Sequence, residues 1–310
     1  MVSLLDIRRS YKGTIKVSEP LSIYASLGIG GAADYVFAPS SADDLVNVVM
    51  HLRESAIPFL FAGRGSNLLV SDHGYHGAII VLEPGVSSIR MEPSHPGKAL
   101  VHAAAGARVT ALVDFCIAHS LQGVETLAGV SSSIGGLVTG NGAGAGELAR
   151  GRLAALQLLR DSEVLVVTEA PEGFPYRRNG AGRDVVLGAT FRLERGEKEQ
   201  LMRVRRETLV RRNAEQPLNV ANAALMFRDP EGKKAAELVS NAGMKGFKRG
   251  GAVVSERHAN MLLNAGNATV ADALTVIKQT QRAVREKTGV GLALAIRLVG
   301  FEEESMREVA

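Results

Sequence analysis

The hydrophobic and polar positions of this chain follow two periods, and their order predicts the elements of an α/β unit near the N-terminus. Residues 41–55, SADDLVNVVMHLRES, place apolar side chains at helical spacing, and the serine and early acidic residues suit a helix N-terminus. Short apolar runs follow at residues 57–62 (IPFLFA) and 77–82 (GAIIVL), which is typical of buried strands. The pattern predicts helix, strand, tight loop and strand from Ser40 to Leu82.

A second group of elements is predicted from residue 99 onward. A strand-like run at 99–109 precedes an amphipathic helix at 109–121, and residues 123–147 are rich in glycine. Strands are predicted at 153–160, 163–169 and 184–194. A charged helix at 196–217 ends in proline and predicts a connector to a second domain. Beyond it we expect strands at 252–255, 258–264 and 292–301 and a helix at 270–288, whose apolar stripe faces a core.

Composition narrows the class of protein. A chain of 310 residues with 46% hydrophobic and 22% charged residues favours two globular domains. The single cysteine, Cys116, excludes an intramolecular disulfide and fits a reducing compartment. The first residues show no signal peptide and no run approaches about 18 apolar residues, so we expect a cytoplasmic protein without membrane contact.

Charge and histidine spacing argue against two further classes. The net charge is only +4 and the basic residues are spread out, so no nucleic-acid binding is expected. His73, His76 and His102 have no cysteine or acidic partners at ligand spacing, so no metal site is expected either.

A first glycine loop, AGRGSNLLVSD at residues 62–72, joins two apolar runs. Gly63 and Gly65 let backbone amides approach a bound group without interference from a Cβ, and Ser66 and Asn67 add side-chain hydrogen bonds. A pyrophosphate fits such a turn. An ordinary strand connection explains the same residues, so this loop alone leaves both alternatives open.

A second glycine loop, GVSSSIGGLVTGNGAGAG at residues 129–146, has three successive hydroxyls and the pair Gly135-Gly136. Two amide-rich loops together suit a dinucleotide phosphate. Neither loop has the G-x-G-x-x-G pattern of a Rossmann domain or the lysine of a P-loop. The pair favours cofactor binding by another fold.

Five segments together resemble one known family. They are LGIGGAADYVFAPSSADDL, AGRGSNLLV, LAGVSSSIGGLVTGNGAGAG, FPYRRN and GGAVVSERHANMLLNAGNATVADAL. They occur in the order seen in the UDP-N-acetylenolpyruvoylglucosamine reductases, flavoenzymes that complete UDP-N-acetylmuramate, and the resemblance spans roughly residues 20 to 300.

The resemblance implies an α+β fold with a two-subdomain FAD-binding domain of the vanillyl-alcohol-oxidase type and a C-terminal α+β substrate domain. We expect subdomains at 1–85 and 86–200 and the C-terminal domain at 201–310. FAD would be bound non-covalently, since Ser131 stands where related oxidases carry an attaching cysteine. NADPH would reduce the flavin, and hydride would pass from flavin N5 to an enolpyruvyl double bond.

The same resemblance implies a set of site residues. A tyrosine and arginine pair, Tyr176 and Arg177, matches FPYRRN, and Arg177 would clamp a substrate carboxylate. The remaining positions would hold or flank FAD: Ser26, Gly30, Gly31, Gly63, Arg64, Gly65, Ser66, Asn67, Ser131, Ser132, Ser133, Ile134, Gly135, Gly136 and Asn141.

Two catalytic positions depart from the family pattern. The family's proton-donating serine corresponds to Leu225, and its final-strand glutamate corresponds to Ala295. Neither side chain can donate a proton or stabilise an enolate. Asp229 also replaces an asparagine and would oppose a substrate diphosphate.

Three functional hypotheses follow from these departures. The first is an FAD-dependent oxidoreductase with another small-molecule substrate that carries a carboxylate. The second is the family reductase acting on its nucleotide sugar, with acids such as Ser255 or Glu256 relocated into the site. The third is a catalytically inactive flavin- or ligand-binding protein.

Overall fold

The computed structural model describes residues 7, 11–95, 97–140, 151–168, 184–217 and 219–302. The chain divides into two compact units. Unit 1 comprises Met1–Lys16, Tyr35–Gly63 and Ala78–Arg211, and unit 2 comprises Val17–Asp34, Arg64–Gly77 and Arg212–Ala310. The three-part division at residues 85 and 200 stays a prediction. Within the described residues, no helix combines the length and apolar character needed to cross a bilayer.

The strands are short and numerous. They are β1 Thr14–Pro20, β2 Ala32–Ala38, β3 Phe59–Ala62, β4 Leu68–Val70, β5 Tyr75–Val81, β6 Ile89–His95, β7 Lys98–Ala104, β8 Leu121–Gln122, β9 Leu153–Arg160, β10 Glu163–Val167, β11 Asp184–Arg195, β12 Asn222–Ala223, β13 Lys248–Arg249, β14 Ala252–Val254, β15 Leu262–Asn264 and β16 Arg297–Val299.

The helices lie between these strands. They are α1 Ala42–Glu54, α2 Val109–Ala118, α3 Ile134–Gly140, α4 Lys198–Glu215, α5 Ala235–Asn241 and α6 Val270–Thr288, with single 3-10 turns at Leu21–Ile23 and Glu125–Leu127.

Unit 1 is built on an antiparallel sheet of order β10-β9-β11-β7-β6, with β8 paired to β11. Strands β3 and β5, which belong to a sheet of order β1-β2-β5-β3, run parallel. One apolar core includes fully buried side chains of α1, α2 and the larger sheet, among them Leu45, Leu112, Val101 and Phe191. The first glycine loop therefore starts at the carboxyl end of a strand whose neighbour is parallel.

Unit 2 has its own core around α6. A sheet of order β12-β15-β14-β13 and the parallel pair β16-β4 contribute to it. Helix α6 starts with a capping box between Thr269 and Asp272 and ends at Gly289 in the left-handed region, φ +71°. Its side chains Ile277 and Val284 are fully buried, which confirms the predicted core-facing stripe.

Most predicted elements are present, with two instructive exceptions. The predicted helices at 41–55, 109–121, 196–217 and 270–288 correspond to α1, α2, α4 and α6. The glycine-rich stretch contains helix α3, although two glycines disfavour a helix. Burial of Ile134 and Leu137 outweighs that low propensity. The predicted strand at 292–301 forms only over Arg297–Val299.

The start of α1 is fixed by a buried carboxylate. Asp44 is 4% exposed, and it accepts hydrogen bonds from Lys12 N–H at 3.0 Å, Ser40 N–H at 3.0 Å and Ser40 Oγ at 2.8 Å. Burial raises the pKa of Asp44, but these hydrogen bonds to the charged form outweigh burial and hold the pKa below its usual value. The carboxylate thus joins α1 to the chain segment at residue 12.

We expect Asp44→Asn to lower the free energy of unfolding by about 2 kcal/mol at neutral pH, because an amide NH₂ would face donors. The folded-state pKa lies below the unfolded value of about 3.9, so the carboxylate stabilises the fold above that pH. This stabilisation is lost as the pH falls through the folded-state pKa. Urea unfolding of wild type, Asp44→Asn and the exposed control Asp43→Asn, at neutral and at acidic pH, measures both effects. Equal stability of the two variants at neutral pH would contradict this account.

Candidate functional site

The first glycine loop connects β3 to β4 and makes a turn that only glycine fits. Gly65 has φ +63°, and a Cβ on it would lie 1.7 Å from the Tyr24 carbonyl oxygen. Its own carbonyl accepts from Ser26 N–H at 3.1 Å and from Ser26 Oγ at 3.2 Å. The predicted site residues Ser26 and Gly65 are therefore in direct contact.

This loop keeps polar groups available for a ligand. Among the described residues, the Gly65 N–H and the Asn67 side-chain amide have no hydrogen-bond partner, although Gly65 itself is buried. Arg64 between them is exposed. The exposed Asn67 amide, near an exposed arginine, suits an anionic group such as a pyrophosphate. The residues present therefore fit the phosphates of a dinucleotide cofactor.

Gly30 and Gly31 pack against the end of β4. A Cβ on Gly30 would lie 2.5 Å from Val70 Cβ, and the Gly31 N–H donates to the Ser71 carbonyl at 2.9 Å. Both glycines thus permit a close approach of two backbone segments in unit 2. Their predicted position near the cofactor stays a prediction.

The second glycine loop, in unit 1, uses its amides internally. The N–H groups of Ile134 and Gly135 donate to backbone carbonyls at 2.8 and 2.7 Å, and Gly136 N–H donates to Ser133 Oγ at 3.1 Å. Ser133 is 6% exposed, whereas Ser131 is exposed. A ligand here would meet serine hydroxyls and glycine Cα surfaces rather than these three amides. The predicted FAD contacts of Ser131, Ser132, Ser133, Ile134, Gly135 and Gly136 stay predictions.

The two glycine loops approach each other within unit 1. A Cβ on Gly63 would lie 2.6 Å from Ser133 Oγ. Gly63 is exposed, so the absent side chain leaves room above the Ser133 hydroxyl. The family resemblance assigns both loops to one cofactor site. In the structure, Gly63 of the first loop lies next to Ser133 of the second loop.

The segments that carry Leu225 and Ala295, which the resemblance aligns with two catalytic positions, are attached to the first glycine loop through backbone hydrogen bonds in unit 2. Ala224 N–H donates to the Ser66 carbonyl at 2.8 Å, and Arg297 N–H donates to the Asn67 carbonyl at 2.9 Å. The segments that carry Leu225 and Ala295 are also joined to each other, because Ala295 N–H donates to the Met226 carbonyl at 2.7 Å. The two positions therefore belong to one hydrogen-bonded backbone frame, which consists of residues 66–67, 224–226 and 295–297.

A buried asparagine holds this frame. Asn260 is 1% exposed, and its side chain accepts from Phe227 N–H at 2.9 Å and donates to the Phe227 carbonyl at 2.8 Å. The main-chain carbonyl of Asn260 also accepts a hydrogen bond from Met226 N–H at 2.9 Å. Sequence analysis did not assign a role to Asn260, although it lies in the His-Ala-Asn stretch of the resemblance.

The side chains in this frame are apolar at the two positions that the resemblance aligns with a serine and a glutamate. Ala295 is 8% exposed and Leu225 is partly buried. Arg297 supplies a charge two residues beyond Ala295. Burial lowers the pKa of Arg297, and burial raises the pKa of Tyr75, whose charge interacts with that of Arg297. Sequence analysis missed this arginine because it lies within an apolar strand pattern.

Of the two residues named as possible relocated acids, Ser255 has another role in unit 2 and Glu256 is exposed. Ser255 is 1% exposed, and its Oγ accepts from Arg257 N–H at 3.2 Å and His258 N–H at 3.1 Å. Glu256 is exposed, with a carboxylate oxygen 2.4 Å from the Cβ that Gly246 would carry. Burial lowers the pKa of His258 and so favours its neutral form.

Asp229 is engaged within its own segment. Its Oδ1 accepts from Ala235 N–H at 2.9 Å, at the start of α5, and its Oδ2 lies 3.0 Å from Lys234 Nζ. The lysine and the helix start offset the carboxylate charge. The repulsion between Asp229 and a substrate diphosphate stays a prediction.

Three predicted residues, Tyr176, Arg177 and Asn141, lie outside the described residues. Within the described ranges, no three histidine, cysteine, aspartate or glutamate side chains are grouped as they would be around a metal ion.

Comparison with known families agrees with this geometry. Residues 33–165 match the family model "FAD binding domain", and residues 216–299 match the model "UDP-N-acetylenolpyruvoylglucosamine reductase, C-terminal domain". The chain is therefore an FAD-binding protein of the α+β class with a second, C-terminal domain, as predicted.

Relatives that match over their full length define the family. The chain is 33% identical to a UDP-N-acetylenolpyruvoylglucosamine reductase of Syntrophus aciditrophicus, over 95% of each chain. It is 36% identical to one of Pelobacter propionicus, over 94% of this chain and 97% of the relative. The crystal structure of the Thermus caldophilus enzyme superposes with a TM-score of 0.75 at 27% identity, covering 93% and 99% of the two chains. The chain belongs to the UDP-N-acetylenolpyruvoylglucosamine reductase family, and its cofactor is FAD.

Proposed function

We propose that this protein is an FAD-dependent oxidoreductase that has kept the flavin site of its family and no longer reduces UDP-N-acetylenolpyruvoylglucosamine efficiently. One observation carries the proposal. Leu225 and Ala295 lie in segments that are hydrogen-bonded to the glycine loop and to each other, and the family resemblance aligns these apolar residues with the proton-donating serine and the glutamate. Loss of two members of a catalytic unit costs several powers of ten in rate.

The chain's own residues would act mainly by binding and orienting. Bound FAD would supply the redox chemistry, by accepting hydride from NADPH and passing it to a substrate. The polar groups of the first glycine loop would bind its pyrophosphate, and Ser26 would hold that loop in place through Gly65. Arg177 would clamp a substrate carboxylate, with Tyr176 beside it. The role of Ser26 is supported by its contacts with Gly65, and the roles of Arg177 and Tyr176 rest on the family resemblance.

The apolar character of the frame favours a substrate whose reduction needs no acid at residues 225 and 295. A substrate that receives hydride and takes its proton from water, or one that is reduced without carbon protonation, meets that condition. A carboxylate on the substrate is supported by Arg177 and, in the frame itself, by the half-buried Arg297. Arginine suits such a group because it presents paired donors.

A second candidate is the family reductase itself, and the full-length identity to enzymes of that name favours it. It would need another acid within reach of the substrate. Ser255 is buried and caps a turn with its Oγ, which argues against its use, whereas Glu256 is exposed.

Transient kinetics with the purified holoprotein distinguishes these candidates. Flavin absorbance is followed during anaerobic reduction by NADPH and then on addition of UDP-N-acetylenolpyruvoylglucosamine, beside a family enzyme that has both acids. We expect NADPH to bleach the flavin and the enolpyruvyl compound to reoxidise it at least about 10³-fold more slowly than in that enzyme. Reoxidation at a comparable rate would refute the proposal and establish the second candidate. Purification without flavin and failure to bind added FAD would favour a protein without redox activity.

A further inference from the structure

The outer edge of β10 is the least protected edge of the sheet in unit 1. At the opposite edge, β6 contains Pro93, which lacks an N–H, and a register shift follows it. Both features discourage pairing with another strand. Strand β10 has neither, and among the described residues β9 is its only strand partner. Within the described ranges, this edge therefore carries no further strand.

The hairpin geometry shows which groups face outward. Arg160 and Glu163 are paired across a two-residue turn in which Asp161 has φ +49°. The pair that closes such a turn is hydrogen-bonded, and hydrogen-bonded pairs alternate with non-bonded ones along an antiparallel ladder. The N–H and C=O groups of Val164 and Val166 are consequently the ones directed away from β9.

Val164 and Val166 also expose their apolar side chains, on a strand whose position is fixed by side-chain contacts. Val164 is 47% exposed and Val166 is 65% exposed. The hairpin is fixed because Arg160 binds Asp184 of β11 through two hydrogen bonds, at 2.8 and 2.7 Å, and Arg53 donates to the Asp161 carbonyl at 2.5 Å. A strand that is already ordered loses little entropy when it pairs.

We propose that β10 pairs antiparallel with β10 of a second copy of this chain, about a two-fold axis at Leu165. In this register, Val164 of each copy lies opposite Val166 of the other copy. Each of these two pairs forms two N–H···O bonds, because the main-chain N–H and C=O groups of both residues point away from β9. Leu165 faces its own counterpart. Glu163 is opposite an apolar residue, Val167, so no like charges meet.

Self-complementarity is what favours a second copy over a foreign strand. A closed two-fold contact uses the same edge twice and leaves no open edge. Paired valines also suit cross-strand packing. A contact through one short strand lies at or below the area of about 1,000 Å² expected for a stable interface, so the dimer is expected to be weak and concentration-dependent.

Sedimentation velocity of the FAD-loaded protein over a concentration series tests the inference. We expect wild type to shift from monomer to dimer with increasing concentration and Val166→Lys to remain monomeric. Val210→Lys is the matched control, because Val210 is also 65% exposed but lies on α4. A monomer at every concentration would overturn the proposal, and so would a dimer that Val166→Lys leaves intact.

A cross-link gives a second, independent test. Leu165 and its counterpart would form a non-hydrogen-bonded pair, with Cα atoms about 4.5 Å apart, which a disulfide can span. Leu165→Cys is therefore expected to oxidise to a covalent dimer, whereas the control Val210→Cys is not. Cys116 does not interfere, since it is fully buried and burial raises its pKa to about 12. Equal cross-linking of both variants, or none by Leu165→Cys, would contradict pairing at β10.

Discussion

A variant with both Leu225→Ser and Ala295→Glu is expected to reoxidise its NADPH-reduced flavin with UDP-N-acetylenolpyruvoylglucosamine at least about 10²-fold faster than the parent protein. The serine would supply the missing proton and the glutamate would stabilise the developing enolate. The backbone frame that holds both positions is already present, because Ala224, Ala295 and Arg297 donate their N–H groups to carbonyls of that frame. Each single change is expected to give much less than the pair, since such groups act as a unit.

A control separates this effect from added charge. Ala293 is exposed on the same segment, and its carbonyl accepts from Arg228 N–H at 2.9 Å, so Leu225→Ser with Ala293→Glu carries the same groups at a different position. Glutamate at residue 295 enters a site that is 8% exposed and will destabilise the fold. The thermal midpoint and flavin content of each variant are therefore measured first. A folded, FAD-loaded double variant with parental rates would show that the two substitutions do not limit the reaction.

Gly65→Ala is expected to lower the free energy of unfolding and the content of bound FAD more than the matched variant Gly232→Ala. A methyl group at this position would lie 1.7 Å from the Tyr24 carbonyl oxygen, and the backbone has φ +63°. The left-handed conformation alone costs roughly 1–2 kcal/mol for alanine. The clash requires the backbone at Tyr24 to move, so we expect a total loss above about 4 kcal/mol.

Gly232→Ala isolates the conformational part of that loss. Gly232 has φ +68° and no atom within 4 Å of the position of its Cβ. Urea unfolding and flavin absorbance of the two variants are compared. Gly232→Ala should lose about 1 kcal/mol and keep its FAD. If Gly65→Ala behaves like Gly232→Ala, the loop is not held as described.

Local signals predicted the parts of the fold that depend on neighbouring residues. Helix α6 begins and ends where the sequence indicates, because Thr269 caps one end and Gly289 terminates the other. The final segment was harder to predict. Residues 292–296 carry a strand-like pattern, but Ala295 hydrogen-bonds to Met226, and only Arg297–Val299 pairs with β4 as a strand. Such long-range partners leave no local signature.

The candidate site shows the same limit. The residue pattern identified the two glycine loops and favoured a dinucleotide cofactor, and the family resemblance specified FAD. Neither could show that Ile134 and Gly135 use their amides internally, since this depends on carbonyls of Ala107 and Ala105. The contribution of Asn260 was equally hidden, because its side chain acts on the backbone of a distant residue, Phe227.

The main-chain hydrogen bonds that join the segments of Leu225 and Ala295 to the glycine loop affect how the sequence of this protein can diverge. Ser66, Asn67 and Met226 accept these hydrogen bonds through main-chain oxygens, which every amino acid possesses. Exchanging a side chain at residue 225 or 295 therefore removes none of the bonds that shape the frame. Selection for folding and selection for chemistry act here on different atoms, so a lineage can lose one reaction and acquire another without rebuilding the scaffold.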